Sequence, residues 1–555
     1  MGSPSCPDPL DLQVRRVVRR VLSDQDRDPY SVTSGCFDRR HWAWKLADLP
    51  NAVLQCNVHP LALLLTEPGG QFSGNPALQW SVAAGLRYAR RIQRRDGSFD
   101  QAFPRERSVG ATAFLLHALL EAFRCIGSGM DAGVRREVEE GLRRAAEFLC
   151  RHEETHGHIA NHLAGAALAL LVSAEHFGEA RYRRRSDALL EKILAHQSPE
   201  GWFLEYEGAD PGYQTLCLHY LAQIYERTRD GRLGESLGGA VEFLAHFIHP
   251  DGSFAGEYGS RRTAVFYPGG LALLGREFPL AAAITRAMRR AIEAGHTVTL
   301  SDVDAENTPP LLSNYVLALR ADPGAGDRSL PPLPCERPAV RRDFPQAGLY
   351  VHGTERYYAV VGASAGGVLK VFAKREPRIL WDDGGYFGQL ASGAFVTSQA
   401  TLRGRPCAVG EREVEMTGAF YAPIRLVPSP ARFLLLRTLC LTVMRSRRIT
   451  EMLKRRLVGL LVTRRRRYQM TLRRRVRFEA TAVVLEDELS KSPSLRVAWL
   501  ECGRGFVAMH MASAQYLEGR QLDRNPDAAV FRVDVGRLNA EQHLAIQIRI
   551  EEAHA

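Results

Sequence analysis

Apolar residues recur at intervals of three and four over most of the first half of the chain. The runs 11–22, 79–95, 110–126, 134–151, 163–177, 185–196, 213–228, 236–248, 264–275 and 279–294 each carry one apolar stripe and predict helices. Beyond about residue 343 the period changes. The stretches 348–353, 357–362, 367–372, 394–398, 468–472, 476–485 and 529–535 are short and rich in Val, Tyr, Phe and Thr, and many alternate apolar with polar. Repeated strands without intervening amphipathic helices predict an antiparallel sandwich. Between the two patterns, Asp322 to Arg342 is rich in Pro and Gly and reads as a linker. The stretch 430–463 fits helix better than strand but is ambiguous.

The helical part contains an internal repeat. Gln93–Phe99, Gln197–Phe203 and His249–Phe254 are three versions of a helix end followed by an acid, a glycine and an aromatic, and Glu153–Ile159 is a degenerate fourth. The glycines at 97, 157, 201 and 252 are 60, 44 and 51 residues apart, room for two helices per unit. Helix pairs at such a period predict an α/α toroid or a superhelical array. Glycine suits a turn that needs a left-handed residue, and the aromatic can pack beneath it. The expected architecture is therefore α+β and multidomain: an N-terminal (α/α) toroid at 1–325, a linker at 326–342 and a C-terminal antiparallel β-sandwich at 343–555.

Length and composition agree with this division. A chain of 555 residues exceeds one ordinary core. No apolar run reaches the length of a membrane span, so none is expected. Residues 1–12 lack a basic-then-apolar leader pattern, which makes the cytoplasm the expected location. Ten cysteines without a Cys-x-x-Cys read as reduced thiols, and neither a metal site nor another cofactor is expected. The net charge is +11, but between Arg445 and Arg477 fourteen Lys/Arg face one acid, Glu451. That segment carries +13, so +11 less +13 leaves −2 for the rest of the chain. It reads either as a solvated face or as a track for a polyanion. No nucleic-acid-binding motif accompanies it, and nucleic acid is not an expected partner.

The candidate chemistry lies between Gly157 and Tyr213. Asn161 and His162 open one helix; a polar, aromatic, Gly-rich loop (Trp202, Glu205, Tyr206, Glu207, Asp210) leads to a second helix opening at Tyr213. Helix starts present free N–H groups to an anion. The loop after the next repeat carries Tyr258, Arg261 and Arg262 and should reach the same place. Arg261 suits a carboxylate, which guanidinium binds bidentately. Tyr206, Glu205 and Asp210 are candidates for the rim, and Tyr258 and Trp202 for sugar contact. Plain structural roles compete throughout: Asn161 as a helix N-cap, His162 as a packed interface histidine, Tyr213 as the first apolar residue of its helix. Glu205 with Glu207 leaves a glycoside hydrolase open. Trp42 and Trp44 either stack on sugar rings or plug the toroid, and Cys36 shows no activating partner.

Asn161-His162, the Pro-Glu-Gly-Trp turn at 199–202 and Gly212-Tyr213-Gln214, with 52 residues from Asn161 to Tyr213, together resemble the polysaccharide lyases of the heparinase II/III and oligoalginate-lyase type. The resemblance spans roughly residues 30–550. It implies an acidic, uronate-containing polysaccharide or oligosaccharide as substrate. Asn161 and His162 would hold and neutralise the uronate carboxylate while Tyr213 transfers the C5 proton. Donors around the carboxylate stabilise the enolate-like intermediate, and a tyrosine near cations can act as base and acid. Loss of the 4-O substituent makes a lyase; return of the proton to the opposite face makes a C5-epimerase. The sandwich histidine of these lyases has no counterpart at Ser364–Val371, where the glycines are kept, and His352 is the one nearby substitute. That departure keeps open a catalytically silent glycan-binding or assembly protein of the same fold, and with the missing leader it suggests work in polysaccharide production or modification. The repeated turn also resembles that of terpene cyclases, for which Asp302, Asp304 and Glu306 would have to supply the acid cluster.

Overall fold

The computed structural model describes residues 8–154, 157–206, 208–321, 329–400, 407–423, 429–458, 466–503, 505, 516–517 and 530–552. The expected helices are present with ends moved by a few residues: Pro9–Asp24, Pro76–Ile92, Val109–Ile126, Ala132–Arg151, Ala160–Phe177, Ala180–Leu194, Pro211–Thr228, Gly231–Ala245, Pro268–Leu274 and Pro279–Glu293. Val58–Leu65 and Thr308–Ala321 are additional. Val58–Leu65 is buried at every position. A helix buried all round has no polar face, so it shows no amphipathic period. The stretch Val109–Gly129 is long and apolar enough to cross a membrane, and 72% of its most apolar window is buried inside the toroid.

The repeated turns explain how successive helix pairs stack. Gly97, Gly201 and Gly252 have φ of +90°, +94° and +86°. A Cβ on Gly97 would stand 2.1 Å from the Arg144 carbonyl oxygen, and one on Gly201 would stand 2.2 Å from that of Gly239. The turn therefore needs glycine twice over, for its dihedral and for the backbone of the neighbouring helix pressed against it. Gln93 Nε2 donates to the carbonyls of Gly97 (3.1 Å) and Gly141 (2.8 Å), and Gln197 Nε2 repeats this with Gly201 (3.1 Å) and Ser236 (3.0 Å). Phe99, Phe203 and Phe254 are buried under the turns. Gly157, in the degenerate fourth copy, is not in the left-handed region.

Among the described residues, the C-terminal part contains two antiparallel sheets. Val340–Phe344, Leu349–Gly353, Tyr357–Gly362, Val368–Ala373 and Arg378–Asp383 form a meander in chain order. Its first strand begins within the predicted linker. The second sheet runs Phe531–Arg532, Val497–Cys502, Phe387–Leu390, Phe395–Thr397, Glu413–Tyr421, Arg467–Phe478, Ala482–Lys491, His543–Glu551, and Cys407–Val409 pairs with Glu413–Tyr421. The predicted strand 476–485 is in fact a hairpin: Met470–Phe478 pairs with Val483–Lys491. Apolar residues on both sides of that tight turn masked it.

The meander is the middle layer of the molecule. Tyr357, Ala359 and Val361 pack with the second sheet, whereas Tyr358 and Val360 pack with the toroid. Strands covered on both faces read as continuous apolar runs rather than as alternation, which is why 357–362 is Tyr-Tyr-Ala-Val-Val-Gly. The toroid side is fastened by specific contacts. Tyr358 Oη donates to the His246 carbonyl (2.6 Å), His249 stacks on Phe372 (4.3 Å between ring centres), and Lys370 Nζ lies 2.6 Å from Glu257 Oε2.

Basic strand 467–478 resolves by strand parity. Arg473, Arg475 and Arg477 face solvent and pair with Glu415, Glu488 and Glu486. Arg474 points inward and is fully buried between Asp383 and Asp487. The outward arginines are thus neutralised by a carboxylate ladder, which supports the solvated-face reading of this strand. Arg464 and Arg465 lie outside the described residues.

Candidate active site

Three loops converge where helices 160–177 and 211–228 begin. The first ends in Ile159, whose backbone bridges Glu205. Ile159, not Asn161, is the N-cap of the first helix, and it offers no capping side chain. The carboxylate of Glu205 takes that role from across the loop. Glu205 Oε1 accepts from the Asn161 backbone N–H at 2.9 Å, and Asn161 Nδ2 lies 2.9 Å from both Glu205 oxygens. Both residues are buried, Glu205 completely. Burial pushes the Glu205 carboxyl up to about 7, against the opposing pull of Arg261, of the Asn161 hydrogen bonds and of His162. Asn161 Oδ1 has no hydrogen-bond partner among the described residues.

His162 follows one residue on and points elsewhere. Its Nδ1 lies 2.7 Å from Glu154 Oε2, and its ring meets Phe114 edge-on at 5.2 Å. Burial is the largest influence on this imidazole and lowers its pKa. The charge and hydrogen bond of Glu154, with Glu205 behind, outweigh burial and leave it raised.

The second helix opens at Asp210-Pro211-Gly212-Tyr213. Asp210 is its N-cap: Oδ1 accepts from the Tyr213 backbone N–H at 2.9 Å. Its other oxygen accepts from the Arg261 backbone N–H at 2.7 Å, so one buried carboxylate ties the third loop to the helix start. This linkage aims the Arg261 side chain. Its guanidinium carbon lies 4.4 Å from the ring centre of Tyr206 and 4.4 Å from that of Tyr213. Its Nη2 stands 3.5 Å from the Tyr213 hydroxyl, and its Nε is buried without a partner among the described residues. Burial is the largest influence on Arg261 and lowers its pKa, but Tyr213, Tyr206, Glu205 and Asp210 outweigh it. The cation is held between two aromatic faces. Tyr206 reaches its place through a left-handed backbone (φ +57°), anchored by its N–H to the His158 carbonyl at 3.1 Å.

Glu205 is bonded to Asn161, and Tyr206, Arg261 and Tyr213 form one stack, while His162 is held by Glu154 and reaches Glu205 by charge alone. Three expected rim and sugar-contact residues are not available to a sugar. Tyr258 is buried, donating to or accepting from His249 Nε2 at 2.9 Å under the meander. Trp202 is buried, with its Nε1 donating to Glu200 Oε2 at 2.8 Å. Glu205 lies beneath Asn161 rather than on the rim. In each case a loop residue near the aromatic of the turn is drawn into the core, which loop chemistry alone does not announce. Glu207 lies outside the described residues.

The other candidates also find places. His352 stacks on Phe478 (4.4 Å) inside the sandwich and does not stand in for the missing histidine. Lys370, from the segment where that histidine was sought, bridges Glu257 of the third loop and Asp382. Burial pushes the Cys36 thiol up to about 12, which leaves no thiolate for catalysis. Trp42 donates to the Asp24 carbonyl at 2.7 Å and Trp44 is exposed. Asp302, Asp304 and Glu306 point to Thr299, Tyr516 and Arg40 respectively and form no common acid cluster. Among the described residues no group of His, Cys, Asp and Glu is arranged to hold a metal ion. Asp210, expected on the rim, is instead the buried N-cap of the Tyr213 helix, and its link to Arg261 spans 51 residues that no local pattern announces; Glu154 was not foreseen as the partner of His162.

Toroid, double-sided meander and second sheet form an overall fold similar to that of solved polysaccharide lyases. A family model described as the ulvan lyase N-terminal domain matches residues 78–278, which contain every element of the cluster. Among solved structures, the chain is similar to the chondroitin AC lyase of Streptomyces coelicolor A3, in complex with chondroitin sulphate. The TM-score is 0.55 at 12% identity, covering 90% of this chain and 69% of that one. It is also similar to a Paenibacillus xanthan lyase, with a TM-score of 0.51 at 10% identity, covering 90% of this chain and 47% of that one. The chain thus spans about half the length of that xanthan lyase. No curated protein matches at the sequence level.

Proposed function

We propose that the chain is a polysaccharide lyase acting on a uronate-containing polysaccharide by C5 proton abstraction and β-elimination. The observation that carries this reading is the Arg261 guanidinium stacked on Tyr213, with Nη2 3.5 Å from its hydroxyl. A tyrosine whose oxygen faces a fixed cation is suited to hold a proton and give it up. In the proposed step Tyr213, acting as its phenolate, takes the C5 proton and becomes the phenol. The C5–H electron pair moves into the carboxylate-stabilised enolate and then forms the C4–C5 double bond as the C4–O4 bond breaks. The proton is returned to the leaving O4.

The donors that would hold the substrate carboxylate differ from the simplest expectation. The Asn161 nitrogen is engaged by Glu205, so the Arg261 guanidinium, whose Nη2 faces the Tyr213 hydroxyl, and His162, whose pKa is raised by Glu154, are the better donors to that carboxylate. The match to the ulvan lyase domain and the lyase-like fold support a polysaccharide substrate. The test is ultraviolet absorbance of an unsaturated uronate with ulvan, xanthan, chondroitin sulphate and heparosan. A rise with one of them that Tyr213→Phe reduces by about 10²- to 10⁴-fold supports the reading. Absence of a rise with any of them overturns elimination; C5 deuterium incorporation from solvent would then identify an epimerase, and none a silent binder.

A further inference from the structure

The helical hairpin that interrupts the second sheet, Pro430–Leu441 followed by Arg447–Val458, is clamped to the toroid on one side and apolar on the other. The clamp comes from the loop after the first repeated turn. Arg105 Nη1 donates to the carbonyls of Cys440 (3.1 Å) and Leu441 (2.8 Å), and Arg107 Nη2 to that of Arg445 (3.1 Å). Arg437 pairs with Asp48 at 2.8 Å, and Arg447 lies 5.1 Å from the Phe148 ring centre. Cys440 and Met444 are buried beneath.

The opposite face breaks the usual rule for a surface helix. Leu434, Leu435 and Leu441 are 70%, 61% and 61% exposed, and Phe433, Val443 and Met452 are also exposed. At 100° per residue, Leu441, Leu434, Ala431 and Leu435 fall on one outward arc of the first helix, with only Thr438 among them. An amphipathic helix normally turns such a stripe toward the core, and a contiguous exposed patch of this kind marks an interaction surface. Its surroundings are basic: between residues 429 and 458 there are eight Lys/Arg and one acid, Glu451. Arg432, Arg445, Arg448 and Arg456 are exposed.

We propose that this hairpin is a peripheral docking surface for an anionic lipid membrane. Leucines would enter the acyl boundary and the arginine fringe would meet headgroup phosphates. Charge complementarity selects this occupant. A second copy would bring a like-charged patch against this one, and a nucleic acid would use the arginines but leave the leucines in water.

The test is co-sedimentation of the full chain with vesicles of phosphatidylcholine, alone or mixed with phosphatidylglycerol. The proposal expects binding to the mixed vesicles, weakened by salt. Combined Leu434→Ser, Leu435→Ser and Leu441→Ser should weaken it at least about tenfold without lowering the unfolding midpoint. Combined Arg432→Gln, Arg445→Gln and Arg448→Gln should remove the preference for phosphatidylglycerol. No binding to either vesicle, binding unchanged by the leucine substitutions, or a dimer in light scattering that those substitutions dissolve would each overturn it.

Discussion

The Arg261 guanidinium lies 4.4 Å from the ring centre of Tyr213 while its backbone N–H is fixed by Asp210, the carboxylate that also caps the Tyr213 helix. Cation and phenol are therefore positioned by a single buried acid. Lysine keeps the charge but not the planar stack or the forked donors. Arg261→Lys should lower kcat by about a hundredfold, the scale of losing one positioned donor. Turnover within about twofold of the parent enzyme would remove Arg261 from the proposed chemistry.

Glu205 makes stability depend on pH in a definite direction. Its pKa is raised from 4.5 to about 7 in the folded chain, so the folded state binds the proton more tightly than the unfolded one. The associated stability is fully present below pH ~4.5 and is lost as pH rises through ~7. Relative to the parent, Glu205→Gln should gain about 3 kcal/mol between those limits. Denaturant titrations of both proteins at pH 4.5, 6 and 8 give the comparison. A pH-independent difference would show that Glu205 ionises normally.

The repeated turn supplies its own control. Gly201 and Gly178 both have positive φ, +94° and +70°. A Cβ on Gly201 would stand 2.2 Å from the Gly239 carbonyl oxygen, whereas one on Gly178 would meet nothing within 4 Å. Gly178→Ala should cost about 1 kcal/mol, the left-handed penalty alone. Gly201→Ala should cost about 3 kcal/mol, since the neighbouring helix must also shift. Equal losses in chemical denaturation would mean that the close approach is not a constraint.

Arg474 is the one arginine of its strand that points inward, between Asp383 and Asp487, and Asp487 also accepts from Tyr386 Oη at 2.7 Å. Arg474→Met would leave two buried carboxylates without their cation and should cost about 3–5 kcal/mol. The solvent-facing neighbour Arg473→Met should cost under about 1 kcal/mol. A denaturation midpoint for Arg474→Met close to that of Arg473→Met would contradict the buried network.

Periodicity made outer toroid helices such as 132–151 and 279–293 legible, because each has one wet face and one dry face. The helices at 160–177 and 211–228 are buried over most of their length and were marked by dense apolar residues instead. The glycine-aromatic repeat was legible because a left-handed turn admits few residues. Asn161, Tyr213 and Arg261 stood out as chemically apt residues at helix starts and in the equivalent loop. What could not be read from the chain was set by packing between distant segments. Helix 58–65 and the meander strands are covered on every side, so they lose the alternation that marks an element. Trp202, Tyr258 and Glu205 look like rim residues but are buried, Trp202 against its own turn, Tyr258 against the meander and Glu205 beneath Asn161. The stack of Arg261 on Tyr213 joins residues 48 apart in sequence. It exists only because Asp210 holds the two loops together. Local chemistry thus nominated the residues, and long-range contacts determined which of them share a site.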